Sequence, residues 1–275
     1  MKKKLIWILV SFCIFSFSAC GSVKKQENDE NKKNENNVVV VSNSTFAPLA
    51  KELVENYNVN SKYNINIEIL ERKELAKKIK DKDNYVSIGY SKLKIKDLQE
   101  EMIGIEGLAI IVNKNNKLDN ITSEQMKNIY INKIKNFNEL NNKSQQIKPI
   151  VYENKENVIQ KAFEDNILNK PVKENIKGNI EYASDVEYVK KIIKDDENSI
   201  GYIPLMSVDD SVKMIKLNGV TLNVNSLKSD LYKASIPIYL QYHDMEQDML
   251  NDFIRYVKSD NGKKVINKYC IESNS

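Results

Sequence analysis

The sequence predicts an α/β fold, because short strand-like runs alternate with amphipathic helical stretches over most of the chain. Residues 38–41 (VVVV) are β-branched, as strands prefer, and precede a helical stretch at 46–57. Pro48 falls in the first turn of this helix, where proline is tolerated. Residues 65–70 (INIEIL) alternate as a half-buried strand does. The run LAIIV at 108–112 is typical of a fully buried strand.

The remaining elements follow from similar signals. Thr122-Ser-Glu-Gln125 has the form of a capping box and starts a helix. The apolar residues of 185–194 lie on one helical face. The other predicted strands are 85–89, 147–152, 199–203 and 235–242, and the predicted helices are 71–80, 122–130, 156–166, 185–194, 245–258 and 261–268.

The N-terminus has the features of a lipoprotein signal. Three lysines follow Met1, and a mostly apolar run at 5–19 leads to Cys20; this run is too short to span a membrane comfortably. FSAC at 17–20 resembles a bacterial lipobox, in which the cysteine is lipidated. We therefore expect residues 1–19 to be a signal peptide and Cys20 to anchor an extracytoplasmic protein to the outer face of the cell membrane. An ordinary cleaved signal is the alternative.

Composition limits the remaining possibilities. Residues 20–37 are almost entirely polar, which predicts a disordered tether. Removing residues 1–19 removes three lysines and lowers the formal charge from +4 to +1. A near-neutral surface gives no reason to expect nucleic acid as a partner. Only Cys270 would remain after Cys13 is cleaved off and Cys20 is lipidated, so a disulfide framework is excluded.

A hydroxyl-rich turn joins the first strand to the first helix. Ser42, Ser44 and Thr45 lie in this turn. Free backbone N–H groups and the positive end of the helix dipole favour an anion at such a position. The alternative is that Ser44 or Thr45 only caps the helix.

Several blocks of the chain carry a resemblance to a known family. They are, in order, SNSTFAPLAKELVENY (42–57), GLAIIVNKNNKLDNITSEQMKNIYINKIKNFNEL (107–140), SIGYIPL (199–205) and FIRYVKSDNGKKVINKYCI (253–271). These blocks resemble the phosphate-binding proteins that deliver phosphate to ABC importers, within the type II periplasmic-binding-protein superfamily. The similarity covers nearly all of residues 38–271.

The resemblance implies two mixed-sheet α/β lobes joined by two hinge strands, with a small-molecule ligand in the cleft between them. The first lobe would comprise 38–111 and 206–275, and the second lobe 112–205. An ABC permease in the membrane is the implied protein partner. We expect a monomer without a cofactor.

The resemblance implies that phosphate is held by three turns, and this chain keeps only the first of them in part. The first turn keeps its hydroxyls, although Asn43 replaces a glycine. Glu71-Arg72-Lys73 stands where Gly-Ser-Gly belongs, so Arg72 is a candidate substitute that could bind an oxyanion by charge-assisted hydrogen bonds. Ser91 and Lys92 partly match a following phrase of the family and could supply a hydroxyl and a charge.

The third turn has lost its cations. In VYENKENVIQKAF (151–163), Glu153 stands at the family's first Arg, Asn157 at its Ser and Gln160 at its second Arg. A carboxylate repels phosphate by roughly 4 kcal/mol at 4 Å and an effective dielectric of about 20. This repulsion is equivalent to up to about three decades in affinity. Asn157 is the candidate ligand contact that remains in this turn.

Three accounts of function are therefore open. In the first, the protein binds phosphate or a related oxyanion with the hydroxyls and cations named above. In the second, Glu153, Glu156 and Asn157 favour a cationic or polar solute, unless they only cap the helix that starts near 156. In the third, the protein is a ligand-free surface scaffold or sensor with a vestigial cleft.

An enzyme is not expected. The chain has one histidine, His243, beside Asp244. It has no nucleophile elbow, glycine-rich nucleotide loop or cluster with metal-ligand spacing. We therefore predict neither catalytic residues nor a metal site.

Overall fold

Strands and helices alternate through the computed structural model, which describes residues 38–81, 84–90, 93, 95–140, 145–169, 179–244 and 247–272. The predicted signal peptide, the lipidation site Cys20, the tether and the candidate ligand residue Ser91 lie outside the described residues. None of the described helices is long and apolar enough to cross a membrane.

The regular elements of the described residues are as follows. The strands are β1 (Val39–Ser42), β2 (Asn66–Ile69), β3 (Tyr85–Tyr90), β4 (Leu98–Val112), β5 (Asn120–Ile121), β6 (Lys148–Tyr152), β7 (Glu181–Ala183), β8 (Ser199–Pro204), β9 (Lys213–Leu217), β10 (Ser235–His243) and β11 (Ile271–Glu272). The α-helices are α1 (Ala47–Asn60), α2 (Arg72–Asp81), α3 (Ser123–Tyr130), α4 (Val158–Phe163), α5 (Val186–Asp195), α6 (Val224–Lys228), α7 (Asp248–Lys258) and α8 (Asp260–Ile266). A π-helical segment, Glu164–Leu168, continues α4, and short 3-10 turns lie at Phe137–Leu140 and Leu205–Ser207.

The strands form one continuous mixed sheet in the order β2-β1-β3-β10-β4-β8-β6-β7. β1 pairs in parallel with β2 and β3, and β6 pairs in parallel with β7 and β8. β10 and β8 both run antiparallel to β4. Two groups of parallel strands are therefore joined through a central antiparallel region.

β4 links the two halves of the sheet. Its N-terminal part pairs with β10 and its C-terminal part pairs with β8. The sequence predicted only the apolar C-terminal part as strand, because the preceding residues include three glutamates. Tertiary contacts accommodate two of them: Glu100 accepts a hydrogen bond from Gln241 Nε2 at 2.6 Å, and Glu101 accepts one from Lys258 Nζ at 2.7 Å. The strand thus depends on distant partners that local periodicity does not show.

β1 is buried on both faces, which explains why VVVV shows no alternation. Val40 belongs to the main core cluster together with Leu49 of α1. Val41 belongs to a second cluster that includes Leu75 of α2. Helices therefore cover both sides of this part of the sheet and fix where β1 ends.

The long predicted elements are present, and the differences concern ends and short pieces. The capping box at Thr122 is confirmed, because its side chain accepts from the Gln125 N–H and the Gln125 side chain returns to the Thr122 N–H. The helix predicted at 156–166 is divided into α4 and the π-helical segment. The sequence did not predict β5, β7, β9, α6 or β11, since periodicity is hard to recognise over two to five residues.

Candidate functional site

Three parallel strands end at the same edge of the sheet. β1, β2 and β3 are neighbours, and the N–H of Leu70, just after β2, donates to the carbonyl oxygen of Ser42 at 2.8 Å. The hydroxyl-rich turn follows β1, Glu71-Arg72-Lys73 follows β2, and Tyr90 ends β3. The edge outside the carboxyl ends of parallel strands is the usual place for a ligand in open α/β sheets. We call these three segments the strand-end cluster.

Asn43, not Ser44 or Thr45, organises the turn after β1. Asn43 Oδ1 accepts from the backbone N–H groups of Thr45 at 3.0 Å and Phe46 at 3.3 Å. The prediction that Ser44 or Thr45 caps α1 is therefore wrong. Asn43 is buried and can take this role because its short amide forms an Asx turn.

The three hydroxyls of this turn have different environments. Ser42 is fully buried, and its Oγ donates to the carbonyl oxygen of Ile88 at 2.7 Å. Ser44 is exposed and Thr45 is half-buried. Within the described residues, neither the Ser44 nor the Thr45 hydroxyl has a hydrogen-bond partner. Both lie directly before a 14-residue helix, whose N-terminus carries partial positive charge.

Arg72 and Tyr90 lie close together in the strand-end cluster. Arg72 begins α2 and is half-buried. Burial raises the pKa of the Tyr90 hydroxyl well above its usual value, Asp165 raises it further, and the charge of Arg72 opposes both. The guanidinium therefore adds positive potential to the same region as the hydroxyl-rich turn.

On the opposite side, Asn157 caps α4. Its Oδ1 accepts from the N–H groups of Ile159 at 2.9 Å and Gln160 at 3.1 Å. The helix-cap alternative is thus confirmed for Asn157, whereas Glu153 is exposed and bonds through its backbone N–H to Ala183. The Asn157 amide nitrogen has no partner among the described residues.

Gln160 serves the protein interior. It is only 3 % exposed, its Oε1 accepts from the N–H of Tyr152 at 3.2 Å and from the hydroxyl of Tyr202, and its Nε2 donates to Glu164 at 2.9 Å. Both ends of the amide are therefore used. Gln160, which the resemblance aligns with the family's second Arg, is therefore part of a buried hydrogen-bond network.

Residues 153–165 contact the strand-end cluster directly. Asn154 Nδ2 donates to Glu71 Oε2 at 3.2 Å, and Lys73 forms an ion pair with Glu156 at 2.9 Å. The Tyr90 hydroxyl donates to Asp165 Oδ2 at 3.1 Å. The two sides are thus bridged by polar contacts around the candidate site.

The ion pair between Lys73 and Glu156 contributes little energy. The Lys73 side chain is 81 % exposed, and exposed pairs are typically worth about 0–1 kcal/mol. Asp165 also pairs with Lys161 at 2.6 Å. Replacing the ion pair between Lys73 and Glu156 by contacts with a ligand would therefore cost little free energy.

Chemically, the site offers hydroxyl and amide donors, one guanidinium and several carboxylates. This combination can bind a small polar solute, and no group of His, Cys, Asp and Glu in the described part of the chain could hold a metal ion. The sequence did not identify Asn43, Tyr90 or Asp165 as members of the site. The Asn-Ser-Thr order before a helix could have indicated the Asx turn, but nothing local connects Tyr90 with Asp165.

Comparison with known proteins identifies the family. Residues 27–261 match a family model described as a PBP superfamily domain. The chain belongs to the PBP superfamily. The family match and the relatives below confirm the resemblance seen in the sequence.

Similar proteins are found among both curated sequences and solved structures. The chain is 24% identical over 287 residues to the phosphate-binding protein PstS of Bacillus subtilis (strain 168), covering 97% of this chain and 92% of the relative. An ABC-type phosphate transport receptor from Vibrio cholerae is 21% identical, with a TM-score of 0.76 over 84% of this chain and 98% of that chain. A Clostridium perfringens protein is assigned by its description to phosphate ABC transport as a substrate-binding protein, and its structure contains bound phosphate. It is 25% identical, with a TM-score of 0.71 over 87% of this chain and 100% of that chain.

These likenesses confirm the predicted fold class, the two-lobe type II periplasmic-binding-protein fold with mixed α/β sheets. The relatives are described as binding proteins and transport receptors. The chain is accordingly a binding protein and not an enzyme.

Proposed function

We propose that the chain is the extracytoplasmic solute-binding component of an ABC importer and that it binds phosphate or a related small oxyanion. The ligand would lie between the strand-end cluster and the loop 153–157. The observation that carries this proposal is the pair of unbonded hydroxyls, Ser44 and Thr45, at the N-terminus of α1. Relatives described as phosphate-binding proteins support the same ligand class.

Each candidate residue has a distinct role in this proposal. Ser44 and Thr45 donate their hydroxyls to the oxyanion, and Arg72 supplies positive charge. Ser91 would add a further hydroxyl, and the Asn157 amide nitrogen would donate from the opposite side. Ser42 contacts the ligand only by giving up its bond to Ile88, so its simpler role is to hold the turn.

The affinity should be modest. The chain lacks the paired arginines of the family's third turn, and a charge-assisted hydrogen bond is typically worth about 1.5–3 kcal/mol. We therefore expect a Kd for phosphate on the order of 0.1 mM.

The finer organisation belongs to the same proposal. The lobes would comprise 38–111 with 206–275, and 112–205, and they would close on the ligand by hinge motion. The protein would act as a monomer, anchored through lipidated Cys20, and would deliver its ligand to a membrane permease. Mass spectrometry of the N-terminal peptide from membranes tests the anchor, and an unmodified Cys20 would exclude it.

Thermal unfolding with a panel of solutes tests the ligand. At 10 mM phosphate, about 100 times the expected Kd, binding should stabilise the fold by about 2.7 kcal/mol. This corresponds to a rise in Tm of about 5–10 °C for a domain of this size. The variant with both Ser44→Ala and Thr45→Val should lose about half of the rise, whereas Thr221→Val, at an exposed position between β9 and α6, should keep it.

A second candidate is a cationic or polar solute held in the same place. It is favoured by the carboxylates of Glu71, Glu156 and Asp165, which all contact across the candidate site. A panel that includes polyamines and polyols separates the two candidates. Stabilisation by these solutes, together with none by 10 mM phosphate, would select the second.

A further inference from the structure

Glu106 lies where the chain crosses between the two halves of the sheet. It pairs with Ile236 of β10, and two residues later Leu108 pairs with Pro204 of β8. The return crossing begins immediately after β8, at Leu205. Glu106 is therefore beside both crossings.

The Glu106 carboxylate bonds to both crossing segments. Its Oε1 accepts from the backbone N–H of Gly107 at 2.9 Å and from that of Met206 at 3.4 Å. The backbone N–H of Leu205 lies close enough to lower the pKa of the same carboxyl group. One side chain thus ties the strand that leaves the first half to the segment that returns to it.

No cation compensates this carboxylate within the described residues. Glu106 is 5 % exposed and forms no ion pair with a described Lys or Arg. The ionisable groups on neighbouring segments include the buried Cys270 thiol after α8, Glu272 of β11, which pairs with Gly104, and Tyr232 before β10. Glu272 is occupied by Lys263 at 2.9 Å, and the Tyr232 hydroxyl donates to the carbonyl oxygen of Leu108 at 2.8 Å.

Burial accordingly raises the pKa of both Glu106 and Cys270. Desolvation raises the pKa of Glu106 to about 7, although the three backbone N–H groups lower it. Burial, with a smaller effect of Glu106, raises the pKa of Cys270 to about 12, so the thiol stays neutral. Glu106 is therefore the group of this cluster that changes charge near neutral pH.

Linkage fixes the direction of the effect. An arrangement of the crossings that lets water reach Glu106 lowers its pKa towards the ordinary value, so that arrangement binds the proton less tightly. Protonation therefore favours the buried arrangement described here, and ionisation favours the hydrated one. The pH window of this effect lies between the ordinary pKa of Glu106, 4.5, and its raised pKa of about 7.

We propose that Glu106 is a proton-sensitive clamp on the interlobe crossing, which holds the two halves in the present arrangement when protonated and loosens the crossing when ionised. Such a device acts on the hinge and is independent of which ligand the protein binds. Ionisation of Glu106 would make the hydrated arrangement of the crossing more populated as the pH rises through neutrality.

Carboxyl-carbon NMR of the full chain labelled with ¹³C-glutamate tests the titration, with Glu106→Gln assigning the signal. Small-angle scattering and amide exchange at Gly107, Leu205 and Met206 report the crossing over pH 5.0–8.5. Each pH is compared with Glu106→Gln, whose neutral amide cannot ionise. Glu101→Gln is the matched control, because Glu101 lies on the same strand but is compensated by Lys258.

The proposal expects a Glu106 midpoint near pH 7 and an increase in radius and in exchange through the same midpoint. This pH response should disappear in Glu106→Gln and persist in Glu101→Gln. A Glu106 midpoint below pH 5.5 would overturn the proposal. A midpoint near 7 without a change at the crossing would also overturn it. If Glu106→Gln does not fold, sequential resonance assignment of the wild-type chain identifies the Glu106 signal, and the titration and the crossing are both still measured in the wild type.

Discussion

The turn at residues 42–46 and the loop at 153–157 each lead into a helix beside the candidate site, but their polar groups are used differently. In the turn, the buried Asn43 accepts from the backbone N–H groups of Thr45 and Phe46, and the Ser44 and Thr45 hydroxyls are unbonded within the described part of the chain. In the loop, Asn157 caps the helix itself, and neighbouring side chains contact the strand-end cluster. Two of the three unbonded candidate donors among the described residues, the Ser44 and Thr45 hydroxyls, therefore lie on the side of the turn, and the third is the Asn157 amide nitrogen.

The side that contains the loop also differs in how its polar side chains serve the protein interior. Gln160 stands where the resemblance implies an arginine, and it now joins Tyr152, Tyr202 and Glu164 in the interior. A buried amide with both ends satisfied supports packing, whereas a guanidinium there would need an anionic partner. Because a fold does not by itself fix the ligand, such a position can serve packing while the fold is kept.

The largest expected effect is on stability, from Gln160→Met. The substitution leaves the Tyr202 hydroxyl and the Tyr152 N–H buried without their acceptor, and each unsatisfied group costs about 1–3 kcal/mol. We expect the free energy of unfolding, measured by urea denaturation, to fall by about 2–4 kcal/mol. The exposed Gln99 of β4 is the control, and Gln99→Met should change the free energy of unfolding by less than about 0.5 kcal/mol.

A loss below about 1 kcal/mol for Gln160→Met would mean that the network around Tyr202 is not part of the stabilising core. The comparison between the two sides would then lose its structural basis.

The next effect is on affinity, from Arg72→Met. Removing the guanidinium removes a charge-assisted interaction with the oxyanion, typically about 1.5–3 kcal/mol. The Kd for phosphate should rise by roughly 10- to 100-fold in calorimetric titration. Lys77→Met removes an exposed charge from the same helix and should leave the Kd within about twofold, because the charge is screened. Equal effects of the two variants would assign the contribution of Arg72 to long-range charge alone.

The smallest effect separates the two ends of the Asn157 amide. Aspartate caps helices as well as asparagine does, so Asn157→Asp should keep the free energy of unfolding within about 0.5 kcal/mol. The same change replaces the amide donor by a carboxylate, and the Kd for phosphate should rise by about tenfold or more. Asn157→Ala should instead cost about 1 kcal/mol of stability through loss of the cap. An unchanged Kd in Asn157→Asp would confine Asn157 to its structural role.

The sequence predicted those features that are determined by residues close together in the chain. The strand before Ser42, the capping box at Thr122 and the long apolar core strands all depend on neighbouring residues, and each is present. The N-terminal part of β4 was not predicted, because its glutamates are accommodated by partners more than a hundred residues away. Contacts between such distant residues are set by the topology.

The candidate site was predicted only in part for the same reason. The residues of the strand-end cluster follow successive strands, so their proximity could be inferred from an α/β pattern and from the family resemblance. Which side chain organises the turn before α1, Asn43 or its neighbours, depends on burial of the turn. The pairing of Tyr90 with Asp165 needs the second half of the molecule to be in place.

Calorimetric titration of the wild-type chain with phosphate, with sulfate and a polyamine as comparisons, tests the central claim most directly. We expect saturable binding of phosphate with a Kd on the order of 0.1 mM. We also expect that binding to weaken by about tenfold when Ser44→Ala and Thr45→Val are combined. Absence of phosphate binding at millimolar concentration, or binding that the double variant leaves unchanged, would contradict the assignment of an oxyanion to the turn after β1.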